Sequence, residues 1–102
     1  MSSPTQLSLA HMRSRGFLAR VVEHWNHFAK IRQDLWGLDI LCIRDHEIVG
    51  VQTTSASNVA ARIKKLANAP ETPLLRKAGI GIEVHGWKKV KNRWTVRVVD
   101  VS

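Results

Sequence analysis

The residues best suited to chemistry lie in one stretch, residues 37–55, GLDILCIRDHEIVGVQTTS. Asp39 is a lone acid in its apolar run, and a second run, EIVGVQT, closes on Gln52, Thr53 and Thr54. The polar break Asp45-His46 between the runs reads as a hairpin turn. In a hairpin folded about that break, facing residues have numbers that sum to 91, which sets Asp39 opposite Gln52. Cross-strand neighbours have Cβ atoms roughly 5 Å apart, so one hydrated Mg²⁺ could touch both side chains. Period two along the second strand puts Thr54 on the same side as Gln52. The same residues also suit a plainer role, an acid at a turn and a polar strand end that caps a helix.

The elements that must position this stretch are legible in outline. TQLSLAHMRSRG predicts a short first helix, with Leu7, Ala10 and Met12 near one face, Ser3 or Thr5 as its cap and Gly16 as its stop. FLARVVEHW, residues 17–25, is rich in β-branched and aromatic residues and predicts a first strand. NHFAKIRQDLWG has no clear period and reads as a loop or irregular edge strand. After the hairpin, SASNVAARIKKLANAP predicts the strongest helix of the chain. Ser55 or Ser57 would cap it, Val59, Ile63 and Leu66 form its apolar stripe, and Pro70 lies beyond its end. ETPLLRKAG is a connector with one turn of helix. IGIEVHGW and WTVRVVDV are two closing strands joined by a basic loop, KKVKNR. The order helix, three strands, helix, two strands implies an α/β sandwich around one mixed sheet.

Length and composition bound what this frame does. A chain of 102 residues without a composition break makes one domain with one modest core. Apolar residues are 44% of the chain, so its charge belongs to a folded surface. Sixteen Lys and Arg against eight Asp and Glu give a net charge of +8, and a soluble domain of that sign is expected to bind nucleic acid. The single cysteine, Cys42, lies in an apolar strand and reads as a small buried hydrophobe that forms no internal disulfide. The N-terminal residues lack the apolar core of a signal peptide and no run approaches the ~18 residues of a membrane span, which fits a cytoplasmic protein with no membrane partner. The five histidines are scattered without a zinc pattern, and Gly79-Ile80-Gly81 is not followed by the rest of a phosphate-binding loop.

The spacing from GLD to Gln52 in VQTT resembles the motif of the PD-(D/E)xK nucleases. In that motif a strand-borne Asp is followed on the next strand by an acid, any residue and a lysine. The nearest likenesses are archaeal-type Holliday junction resolvases and VRR-NUC nucleases, and QTTSASNVAARIKKL is similar to a glutamine branch found in phage and mobile-element proteins. The resemblance covers nearly the whole chain and implies a restriction-endonuclease-like sandwich, a mixed sheet of about five strands flanked by helices. It implies a metal-dependent DNA endonuclease using Mg²⁺ or Mn²⁺. Asp39 would hold the metal, Gln52 would complete its shell or position water, and Thr54 would bond water or phosphate. It also implies a homodimer acting on DNA, branched DNA included, because two strands must be cut.

Three departures accompany the likeness. Gln52 replaces an acid, Thr54 replaces the lysine, and the first helix carries no Glu. Asp34 is a candidate replacement carboxylate, and Lys64 or Lys65 a candidate migrated lysine. The alternatives to an active nuclease are a catalytically silent DNA-binding module on the same fold and a basic domain that binds RNA or an acidic protein. Contacts to nucleic acid are expected from Asn58, Arg62, Lys64 and Lys65 on the second helix, and from Lys30 and Arg32 in the loop before Asp39. The segment HGWKKVKNRW, with Trp87 and Trp94 among its cations, ranks below them because tryptophan usually packs inside.

Overall fold

The computed structural model describes residues 3–102. Helix α1 (Pro4–Ser14) is followed by strands β1 (Leu18–Val21), β2 (His24–Asn26), β3 (Ile31–Gln33), β4 (Ile40–Arg44) and β5 (Glu47–Ser55). Helices α2 (Val59–Asn68) and α3 (Thr72–Lys77) come next, and β6 (Ile80–Val90) and β7 (Arg93–Asp100) close the chain. Five strands form one mixed sheet in the order β1-β4-β5-β6-β7, with β5 and β6 parallel and the other neighbours antiparallel. The protein is thus α/β, with helices on both faces of a mixed five-stranded sheet. No helix among the described residues is long and apolar enough to cross a membrane.

Two apolar layers sandwich the sheet, and each follows from strand alternation. Leu9 and Met12 of α1 pack with Phe17 on Ala19, Ile40, Cys42, Val49 and Val51. On the other face Val59 and Leu66 of α2 and Leu75 of α3 pack on Ile82 and Val84, together with Leu38. The expected stripe of α2 holds, with Val59 and Leu66 buried and Ile63 half-buried. Its expected caps do not: neither Ser55 nor Ser57 bonds a helix N–H, because residues Ala56–Asn58 first make a 3-10 turn. Ser3 does cap α1, its Oγ accepting from the Gln6 N–H at 3.2 Å.

The β4–β5 register is the one expected, Ile40 facing Val51 and Cys42 facing Val49. Asp45, in the turn, adopts a φ of 49°, a left-handed conformation that Asp tolerates better than most residues. Two expectations about the strands fail. Residues 17–25 are not one strand: β1 ends at Val21 and β2 belongs to a separate two-stranded sheet with β3. The cause lies in the partner strand. The Val22 N–H still bonds the Asp39 carbonyl at 2.8 Å, but at Leu38 the chain turns away, so residues beyond Val22 find their ladder in β3 instead. The second failure is the basic loop, most of which is strand; β6 and β7 join through Lys91-Asn92 alone, both at positive φ (48° and 63°) as a tight primed hairpin turn requires.

Two glycines set how closely the layers approach. A Cβ at Gly50 would strike the Leu38 side chain, and one at Gly86 would strike Val59. The missing side chains let Leu38 lie on the sheet beside Asp39 and let α2 start directly over β6.

Candidate metal and nucleic-acid site

Asp39 is held from both sides through its backbone. Its N–H donates to the Val51 carbonyl at 2.8 Å and its own carbonyl accepts from Val22 at 2.8 Å, so β1 and β5 grip it in the middle of the sheet. A turn through Trp36-Gly37, fixed by Leu35 and Leu38 exchanging two backbone bonds, delivers the chain to it. The Asp39 carboxylate is buried, and its Oδ2 accepts from Gln52 Nε2 at 3.0 Å, the Thr53 N–H at 2.8 Å and Thr53 Oγ1 at 3.2 Å. No donor among the described residues bonds Oδ1. Gln52 is only 2% exposed, and its Oε1 is buried without a partner.

A second carboxylate stands beside the first. Glu23 follows directly on Val22, the last residue to bond Asp39, and its carboxyl group shares a cleft with that of Asp39. Burial pushes the Asp39 carboxyl up to about 7; the Thr53 N–H bond opposes that rise and the nearby Glu23 charge adds to it. A hydroxyl chain joins the two acids: Thr5 Oγ1 donates to Glu23 Oε1 at 2.9 Å and lies 3.0 Å from Thr53 Oγ1, which reaches Asp39.

The pair lies in an open cleft of about 440 Å³ whose rim carries Arg32, Arg62 and Lys65. Arg32 Nη1 is 3.4 Å from Glu23 Oε1, and Lys65 Nζ is 4.0 Å from Asp34 Oδ2. Among the residues expected from sequence, Asp39, Gln52, Thr54, Arg32, Arg62 and Lys65 all line this cleft. Lys30, Asn58 and Lys64 do not. Lys30 is exposed in the β2–β3 turn, Lys64 is exposed on α2 outside the lining, and Asn58 spends its amide on Ser55 Oγ at 3.1 Å. Asp34 reaches the cleft, yet its Oδ1 accepts from the Gly37 N–H at 3.0 Å, and Glu23 is the acid whose charge acts on Asp39.

Sequence reasoning missed Glu23, Thr5 and Thr53. A signal for Glu23 existed: like Asp39, it is a lone acid in an otherwise apolar run. No three His, Cys, Asp or Glu side chains converge among the described residues. A cation here would therefore rest on two carboxylates and neutral oxygens. That donor set suits a hard divalent ion that keeps several waters, and the unpartnered Gln52 carbonyl is one further oxygen for it.

Next to this cleft, under α1, lies a second polar cluster. Trp87 Nε1 donates to Ser8 Oγ at 2.7 Å, Ser8 Oγ is 2.9 Å from His85 Nδ1, and His85 Nε2 is 2.9 Å from Glu83 Oε1. Arg15 closes it with two bonds to Glu83, at 2.8 and 3.1 Å. Since the indole N–H only donates, the Ser8 hydrogen is available to Nδ1 and the ring hydrogen on Nε2 goes to Glu83. Ser8 and His85 have no exposed surface. The Ser-His-Glu order is that of a hydrolytic triad, but a sealed serine reaches no substrate, and this cluster is structural.

Compared with known proteins, the chain matches no family model, no curated protein and no solved structure. The class that fold and site define is that of an α/β protein with a buried and a half-buried carboxylate in a basic-rimmed cleft.

Proposed function

We propose that the protein is a divalent-metal-dependent DNA endonuclease with a restriction-endonuclease-like fold of the PD-(D/E)xK kind. One observation carries this reading: the buried Asp39 carboxylate and the half-buried Glu23 carboxylate line one open cleft, joined through the Thr5 and Thr53 hydroxyls and ringed by Arg32, Arg62 and Lys65. A carboxylate buried near a second acid is unfavourable unless a cation compensates it, and Arg32 pairs with Glu23 and not with Asp39. The cations on the rim stand where a phosphate backbone would lie.

Asp39 and Glu23 would hold Mg²⁺ or Mn²⁺, with Gln52 adding its carbonyl oxygen after a turn of its amide. The bound ion would lower the pKa of a water and offset charge on the phosphoryl group. The Thr53 N–H and hydroxyl keep the Asp39 carboxylate oriented when the Gln52 amide turns, which leaves Oδ1 for the ion side. Arg32, Arg62 and Lys65 hold the phosphate, and Thr54, on the cleft wall, bonds water or a phosphate oxygen. In the overall reaction the water oxygen forms a bond to phosphorus as the bond to the leaving sugar oxygen breaks. The proton lost by the water ends on that oxygen.

The reading includes a homodimer acting in the cytoplasm. On the face opposite α1, the β1–β4 part of the sheet exposes Leu18, Ile43 and Ile48 side by side, which supports self-association through that face. The second reading, a silent DNA-binding module, is favoured by two features: Thr54 stands in place of a lysine, and Lys65 faces Asp34 instead of Asp39. Incubation with linear, flapped and four-way DNA in Mg²⁺ or Mn²⁺ separates the two. Metal-dependent nicking that is absent in Asp39→Ala supports the nuclease; salt-sensitive binding without nicking in either metal supports the module.

A further inference from the structure

We propose that the β2–β3 hairpin is a base-stacking arm, so that the preferred ligand is DNA in which unpaired nucleotides adjoin a duplex. The proposal rests on the cleft binding a nucleic-acid backbone. The hairpin stands outside the main sheet, and its outward side chains have no core to enter: Trp25 and Ile31 are half exposed and Phe28 is fully exposed. Isolated two-stranded hairpins are weak, yet this one is built with care. Asn26 Oδ1 accepts from the N–H groups of both Phe28 and Ala29 at 3.0 Å, and Asn26 Nδ2 donates to Gln33 Oε1 at 3.1 Å. Those bonds fix the turn that presents Phe28.

Charge indicates what the arm meets. Between His24 and Gln33 there are Lys30 and Arg32 and no acid. An apolar surface meant for another protein's core needs no such bias, whereas aromatic rings among cations suit bases strung on phosphates. The arm is also continuous with the cleft. A groove of about 280 Å³ runs to Trp25 and shares Ser3, Thr5, Glu23 and Arg32 with the acidic site. Bases inside a duplex stack on one another and offer no free face. Rings beside a backbone-binding cleft therefore find partners only where the strands have come apart.

The test uses the full-length protein with Ca²⁺ in place of Mg²⁺, so that binding is read without cutting. Fluorescence anisotropy compares a blunt duplex with the same duplex carrying a single-stranded tail. The wild type binds the tailed DNA more tightly; Phe28→Ala lowers that affinity about tenfold and leaves the blunt duplex unchanged, and Phe28→Tyr restores it. A 2-aminopurine in the tail is quenched by the wild type and not by Phe28→Ala. Equal affinity of the wild type for both DNAs overturns the proposal, as does a Phe28→Ala loss that is the same on both. A change of mass in solution on Phe28→Ala overturns it too, by assigning the ring to a second copy. Tail preference without metal-dependent nicking sinks only the nuclease reading, and nicking without tail preference sinks only the arm. Absence of DNA binding sinks both.

Discussion

Two polar clusters sit side by side under helix α1, and they are built alike. Each holds at least one acid on or beside the central sheet, each is tied to α1 by a hydroxyl, and Thr53 of one faces His85 of the other across β5 and β6. They differ in completion. Around Glu83 the donors balance the acceptors: His85 and Arg15 together hold the carboxyl down at about 2, the hydrogen bond from His85 contributing most, against the opposing effect of burial. Around Asp39 burial wins and the carboxyl rises to about 7, with a second acid beside it and the Gln52 carbonyl left without a partner. A closed network stabilises a fold, whereas one with an unpartnered acceptor that opens to solvent is poised for a ligand.

The largest expected effect would break this contrast at its open end. Asp39→Ala should lower metal-dependent nicking at least about hundredfold, read on supercoiled plasmid. Asp39→Asn, which removes a buried charge, should leave the metal-free protein's thermal midpoint unchanged or higher. At the closed end the signs reverse. His85→Ala strands Ser8 and Glu83 and should cost about 2–4 kcal/mol, measured by urea unfolding, while nicking persists at temperatures where the variant stays folded.

Acid sharpens the same distinction. The Glu83 pKa is depressed on folding, so its contribution is present above the unfolded value of 4.5 and is lost as pH falls from there towards 2. That loss is about 3 kcal/mol, and the pH series of unfolding midpoints should flatten over this window in Glu83→Gln. On the cleft rim, Arg62→Ala should weaken DNA binding several-fold and reduce the slope of log affinity against log salt by about 0.9. The smallest effect concerns the free sheet face: Ile43→Glu should yield monomers by light scattering, with single-strand nicking retained.

The difference between the clusters also explains what the sequence disclosed. Asp39 and Gln52 were legible because two apolar runs about a two-residue break fix the register, and a slip by one would turn Cys42 and Val49 to the wrong face. The α2 stripe was legible from its period, and with it the Arg62–Lys65 edge. Glu23 was hidden by chain geometry. Its run reads as one strand, and only the reversal at Leu38, which ends the ladder at Val22, leaves Glu23 at the cleft. Ser8 and His85 are 77 residues apart, and nothing local to either marks the pairing. The β2–β3 hairpin has no interior, so no hydrophobic alternation announces it.

The parallel alignment of β5 with β6 carries one more consequence. Two strands heading the same way oblige the polypeptide to travel back along the full length of the sheet before the second begins, and α2 and α3 make that return trip. The cations Arg62 and Lys65 are therefore not ornaments added to a finished scaffold; they ride on the obligatory bridge that departs from the very end of the strand bearing Gln52. Shortening or straightening that bridge would unpair the middle of the sheet, whereas β7, at the margin, could be redrawn without moving either acid.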